Sequence, residues 1–150
     1  MFYSLPPTSK RVFQSTTQAI NKTIRNQTIK NLRPYIYCKK KFLSRKIRSL
    51  NKEWDTERIL ETYAATSILI STILANKYNK RWLSLTSCTS FFLLMHALQG
   101  WCPPLPLLRY LGIRTPEEIY KEKMAIKFYR GDFPPNSFHP NEVLSAIEKE

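Results

Sequence analysis

The first 52 residues contain no aspartate and no glutamate, although 13 lysines and arginines run through them from Lys10 to Lys52. The remaining 98 residues carry 11 basic and all 11 acidic side chains, so the net charge of +13 belongs to the N-terminal third. Such a segment has three physical uses: it binds phosphate backbones, lies on anionic lipid headgroups, or serves as a targeting peptide. Cysteine is also scarce. Cys38, Cys88 and Cys102 are an odd number without a C-x-x-C spacing, which argues against a disulfide framework and a zinc knuckle. No phosphate-cradling loop, Ser/His/Asp arrangement or metal-ligand cluster is visible, so the expectation is a non-enzyme with no cofactor and no small-molecule substrate. The first thirty residues lack an apolar core long enough for a secretory signal peptide.

Charge is missing once more from Trp82 to Leu108, 27 residues in a row. The part up to Cys102, as a helix, is roughly 30 Å long, about the hydrocarbon thickness of a bilayer. A second uncharged run, Thr62 to Asn76, extends to a short span when Ile59 and Leu60 are added. Ser67, Ser71 and Ala75 recur in it every four residues, the small-residue edge along which membrane helices approach one another. Ser84, Ser87, Cys88 and Ser90 are read as the packing positions of the later span. Lys77-Tyr78-Asn79-Lys80-Arg81 between the runs is the length of an antiparallel helix connection, and Tyr78 and Trp82 sit where interfacial aromatics belong. Gly100 with Pro103, Pro104 and Pro106 ends the second run.

The flanks read as helical or unstructured. Residues 1–34 hold too few apolar side chains to bury and are expected to be disordered or transiently helical. Residues 32–50 pattern as a basic amphipathic helix, with Phe42, Leu43, Ile47 and Leu50 opposite Lys39, Lys40, Lys41, Arg45, Lys46 and Arg48. Such a helix either lies in a membrane interface or docks its apolar edge on the rest of the protein. Asp55 or Thr56 is placed to cap the first span. Leu107 to Ile113 reads as a brief helix closed by Gly112, and Thr115-Pro116-Glu117-Glu118 opens another that runs to about Tyr129. Residues 131–137 are a turn-rich linker, and a last helix is expected from Asn141 to Lys149.

The fold class predicted is therefore all-α: a two-span transmembrane helical hairpin with flanking amphipathic and soluble helices. The expected domains are a basic arm over 1–52, a membrane domain over 53–115 with spans at about 59–76 and 82–100, and C-terminal soluble helices over 116–150.

Glu57-Arg58-Ile59-Leu60, the run Leu98-Gln99-Gly100-Trp101-Cys102-Pro103 and the run Leu107 to Thr115 resemble the YgaP-like transmembrane domain family of bacterial inner membranes. The likeness covers about residues 54–115, and Gly100, Trp101, Cys102 and Pro103 are its most specific element. It implies a self-associating two-span hairpin. Some members carry a rhodanese sulfurtransferase domain ahead of the hairpin, which the basic arm here has no run of strands to supply.

The leading expectation is a membrane anchor or interaction module in the bacterial cytoplasmic membrane. Its partners would be anionic headgroups and a second copy of the chain, with both termini cytoplasmic by charge bias. Two alternatives stay open: a peripheral or soluble basic helical protein that binds nucleic acid, and a thiol-dependent sulfur or redox role through Cys102. If residues 1–52 are a transit peptide, the membrane is an organelle's. His96, an ionisable group inside a span, either lines a dimer seam or is a satisfied packing histidine. Arg109 is placed to compensate the Cys102 thiol, which a helix C-terminus would otherwise hold protonated.

Overall fold

The computed structural model describes residues 5–133 and 140–148, and among these every regular element is helical. The helices are α1 (Arg11–Gln14), α2 (Gln18–Leu32), α3 (Lys40–Asn51), α4 (Thr56–Lys77), α5 (Leu83–Gln99), α6 (Leu105–Tyr110), α7 (Pro116–Arg130) and α8 (Pro140–Glu148). The all-α class is as the sequence predicts. The chain divides into two compact units, Met1–Asn21 with Trp54–Pro116, and Lys22–Glu53 with Glu117–Glu150. This grouping by contact differs from the linear division at residues 52 and 115. The basic arm is split between the two units, because its beginning bonds to the α4–α6 region and α3 buries its apolar edge against α7.

In the first unit the helix boundaries follow local chemistry. The Asp55 carboxylate caps α4 by accepting from the Arg58 N–H at 2.8 Å, so the helix begins three residues earlier than the apolar run alone indicates. The Asn79 side chain accepts from the Arg81 N–H at 2.9 Å and starts the 3₁₀ turn Lys80–Trp82 that leads into α5. Gly100 ends α5 in the left-handed region at φ 74°, its N–H donating to the His96 carbonyl at 2.8 Å.

Helices α4 and α5 run antiparallel, joined by hydroxyl pairs in which earlier residues of one meet later residues of the other. Ser71 Oγ lies 2.7 Å from Thr86 Oγ1, and Ser67 Oγ lies 3.4 Å from Thr89 Oγ1. The small-residue edge of α4 is thus the packing edge. The packing face of α5 differs from expectation: Ser84, Ser87, Cys88 and Ser90 are exposed, whereas Thr86, Thr89, Leu93 and His96 face inward. Hydroxyls occur all round this helix, so polarity alone does not mark its seam.

One helical run, Lys40–Lys77, contains an 18-residue window long and apolar enough to cross a membrane, with mean hydropathy 1.3. Within that run only α4, with 22 residues, has the length. No more than 22% of the window is buried, unlike the core helix of a water-soluble protein.

Residues 11–32, expected to be disordered or transiently helical, form α1 and α2. Polar anchoring supplements the burial of Val12 and Ile24: Arg11 Nη1 donates to the Ala97 carbonyl at 2.7 Å and Ser15 Oγ to the Gln99 carbonyl at 2.9 Å. These carbonyls belong to the last turn of α5, which has no intrahelical donors to offer them.

In the second unit Leu43, Ile47 and Leu50 of α3 pack with Ile119 and Ile126 of α7, and Leu32, Tyr35 and Cys38 close over the cluster. An interfacial helix would need that apolar edge free. The docked alternative is the one realised, because α7 presents a matching aliphatic stripe. Lys46 Nζ pairs with the fully buried Glu122 at 3.3 Å, and Arg130 binds Asp132 at 2.6 Å and Ser44 Oγ at 2.8 Å. Lys127 Nζ donates to the Ile147 carbonyl of α8 at 2.6 Å. Most of the expected turn-rich linker, residues 134–137, and the end of the last helix at Lys149 lie outside the described residues.

Candidate functional site

The residues of interest converge where α5 ends. After Gly100 the chain turns back, and Cys102 is buried among Val12, Leu60 and Leu105. Burial pushes the Cys102 thiol above its ordinary pKa, offset in part by a backbone hydrogen bond with Leu105. A thiol so placed is held protonated, the opposite of what a nucleophile needs. Trp101 is exposed and meets Phe92 edge to face at 6.4 Å between ring centres.

Gly100 is required twice over. Its φ is positive, and a Cβ there would stand 2.4 Å from the carbonyl carbon of Arg11, so α1 crosses the helix end at backbone distance. Arg11 also pairs with Glu57 at 3.1 Å. The Gly100–Pro103 signature therefore works as a folding corner that seats the N-terminal segment.

Arg109, expected to face the thiol, is committed elsewhere. Its guanidinium is almost fully buried and donates to Asn21 Oδ1 at 2.9 Å, Thr16 Oγ1 at 3.2 Å and the Ile113 carbonyl at 3.0 Å. Sequence reasoning missed this anchor, although an arginine inside the apolar run Leu105–Ile113 was a legible sign of one.

Above Cys102 a cavity of about 200 Å³ opens between α4, α5 and the Cys102–Pro104 turn. Leu60, Tyr63, Ala64, Phe92, Leu93 and His96 line it, and the Cys88 and Cys102 side chains border it. His96 is only 5% exposed, and neither ring nitrogen has a hydrogen-bond partner among the described residues. No group of three His, Cys, Asp or Glu side chains able to hold a metal ion occurs among those residues.

The basic candidates lie in the second unit. Lys39, Lys40, Lys41, Arg45 and Arg48 are exposed on and beside α3, and Arg45 stacks on Phe42 at 5.8 Å. Lys46 is set apart from them by its bond to Glu122. Comparison with protein-family models, with curated proteins and with solved structures gives no match for this chain.

Proposed function

We propose that the chain is an integral membrane protein in which α4 and α5 cross the bilayer as a two-span hairpin, serving as an anchor or protein-interaction module. One observation carries the reading. Polarity across the helix pair is inverted: Ser67, Ser71, Thr86 and Thr89 meet in the seam, while Leu69, Ile70, Phe91 and Leu94 stand outside, each more than half exposed. In water the apolar groups would turn inward; in hydrocarbon a hydroxyl is satisfied either by a carbonyl one turn back, as Ser84 is by Arg81 at 2.7 Å, or by a partner across the seam. An exposed apolar surface of this kind marks a membrane or protein contact.

Lengths and edges agree. Helix α4 is about 33 Å long, and α5, with 17 residues, stands at the lower limit for spanning. Exposed Trp54 and Trp101 flank one end of the pair, Tyr78 and Trp82 the other, as interfacial aromatics do. The charge bias puts both termini in the cytoplasm of a bacterial cell, with the 77–81 turn across the membrane. The exposed cations around α3 then face anionic headgroups, and a second copy is a further partner for the exposed faces. This is the architecture that the YgaP-like resemblance implies. An organelle reading with a cleaved leader fits less well, because Arg11, Ser15, Thr16 and Asn21 are bonded into the fold.

Reporter fusions at residues 1, 79 and 150 test the topology. Ends that report cytoplasmic with a loop that reports external are expected; a cytoplasmic report at residue 79 overturns the hairpin. Release by alkaline carbonate, with nucleic-acid affinity that falls as salt rises, would establish the basic peripheral alternative instead.

A further inference from the structure

We propose that Ile36, Tyr37 and Phe42, the exposed apolar side chains at the entry to α3, insert into the headgroup layer of an anionic lipid surface, with Lys39, Lys40, Lys41 and Arg45 binding the phosphates around them. Their route to lipid rests on the membrane reading, which brings the second unit to a bilayer; the proposal goes beyond it by naming the residues that enter. The edge that would have laid α3 in an interface, Leu43, Ile47 and Leu50, is covered by α7. What stays outside is a different set. Tyr37 is 97% exposed, Phe42 51% and Ile36 45%. A single exposed apolar side chain is ordinary, but these three fall within one stretch of seven residues that also holds Lys39, Lys40 and Lys41.

The charge around them has one sign. No acidic residue precedes Glu53, and carboxylates of and beside α7 are drawn to other cations: Glu117 to Lys121 at 2.7 Å, Glu122 to Lys46 at 3.3 Å and Asp132 to Arg130 at 2.6 Å. Lys39, Lys40, Lys41, Arg45 and Arg48 pair with no carboxylate among the described residues. On α3, Phe42 and Arg45 lie three residues apart and Lys41 and Arg48 seven apart, so all four lie outside the edge that α7 covers. Apolar tips among cations match a membrane interface, where phosphates lie above hydrocarbon.

A nucleic acid also offers phosphates, but single strands are held by bases stacked on free aromatic faces. One face of Phe42 is already taken by the Arg45 guanidinium, 5.8 Å from the ring centre, and Ile36 has no ring to offer. Attachment favours the bilayer as well. The chain passes between the two units three times, at residues 21–22, 53–54 and 116–117, so the second unit stays beside any surface that holds the first.

The test places 4-fluorophenylalanine at position 42 of the full-length protein, and in a second sample at position 37, in lipid nanodiscs. Fluorine relaxation by dissolved oxygen reports hydrocarbon, and relaxation by aqueous nickel reports water. The oxygen-to-nickel ratio is expected to be about threefold or more higher in discs one-third phosphatidylglycerol than in discs of phosphatidylcholine alone, and to fall as salt rises. Lys39→Gln, Lys40→Gln and Lys41→Gln combined, all at exposed positions, should bring the anionic-disc ratio toward the neutral one. Equal ratios in the two discs, or an anionic preference undiminished by the triple change, overturns the proposal. Protection from nickel by a single-stranded RNA, without a response to anionic lipid, assigns the surface to nucleic acid and overturns it too. Equal ratios in a protein that resists carbonate overturn this site alone. A protein released by carbonate is measured on preformed vesicles of the same two compositions: an anionic preference there overturns the membrane-spanning reading while the lipid contact stands, and equal ratios overturn both.

Discussion

Gly100 and Arg11 touch through their backbones: the α-carbon that closes α5 has no room for a methyl group because the Arg11 carbonyl carbon would lie 2.4 Å from it. Gly112 shares the positive φ, at 83°, yet among the described residues nothing lies within 4 Å of its missing Cβ. The two positions thus separate backbone strain from steric exclusion. Gly112→Ala should cost about 1–2 kcal/mol from conformation alone. Gly100→Ala should cost clearly more, because a backbone segment must also move. Denaturant unfolding of both variants in micelles checks this, and equal losses would mean that α1 does not sit on the helix end.

The seam hydroxyls can be weighed against each other. Ser71→Ala and Thr86→Val each remove one side of the 2.7 Å contact, and a double-mutant cycle should give a coupling of about 0.6 kcal/mol, the usual scale for such bonds within membranes. A coupling indistinguishable from zero would place these hydroxyls apart.

Leu94 is 56% exposed and Leu69 62%. If those faces meet hydrocarbon, Leu94→Arg should oppose insertion by about 2.5–3.5 kcal/mol and shift the protein toward the carbonate-soluble fraction. On a water-exposed face the same change stays within about 0.5 kcal/mol. A stable, membrane-retained Leu94→Arg variant would count against the outer face of α5 touching lipid.

In the second unit Lys46 Nζ lies 3.3 Å from Glu122, whose side chain is fully buried. Lys46→Met should destabilise the unit by about 1–3 kcal/mol, less than the loss for a wholly enclosed pair because the lysine is itself 21% exposed. Lys46→Met with Glu122→Leu should recover much of that loss. Thermal unfolding followed by circular dichroism measures both, and a double variant no better than the single one would remove the carboxylate as the cause.

The Cys102 thiol, raised by burial, should alkylate more slowly than free cysteine at pH 8, with a rate that climbs only above the ordinary thiol range. The linkage has a definite sign. The unfolded chain releases this proton at a lower pH than the folded one, so stability falls as pH rises from the unfolded pKa toward the folded one. Mass-spectrometric rates of iodoacetamide labelling against pH give the midpoint; one below that of free cysteine would restore a nucleophilic role.

Much of this architecture was legible wherever punctuation was strong. Asp55, Gly100 and Pro116 mark helix ends by local chemistry, and the elements between them follow. The seam of α5 was not legible, because Ser84 and Ser87 are as small and polar as Thr86 and Thr89, and outward leucines erase the usual contrast between inner and outer faces. The N-terminal segment was missed for another reason. Arg11, Ser15 and Asn21 hold it through hydrogen bonds to distant groups, which leave no periodic trace in the sequence. Of the candidate site, Cys102 and His96 were visible as residue types, but the cavity that brings them together depends on the turn at Gly100.

The bonds of Arg11 to Ala97 and of Ser15 to Gln99 span 86 and 84 residues. Helix α1 is therefore made well before the helix end on which it docks. At about 5–20 residues per second, it waits on the order of ten seconds until its acceptors are made. Closure of that contact ties the N-terminal segment of the first unit to the end of a helix made much later.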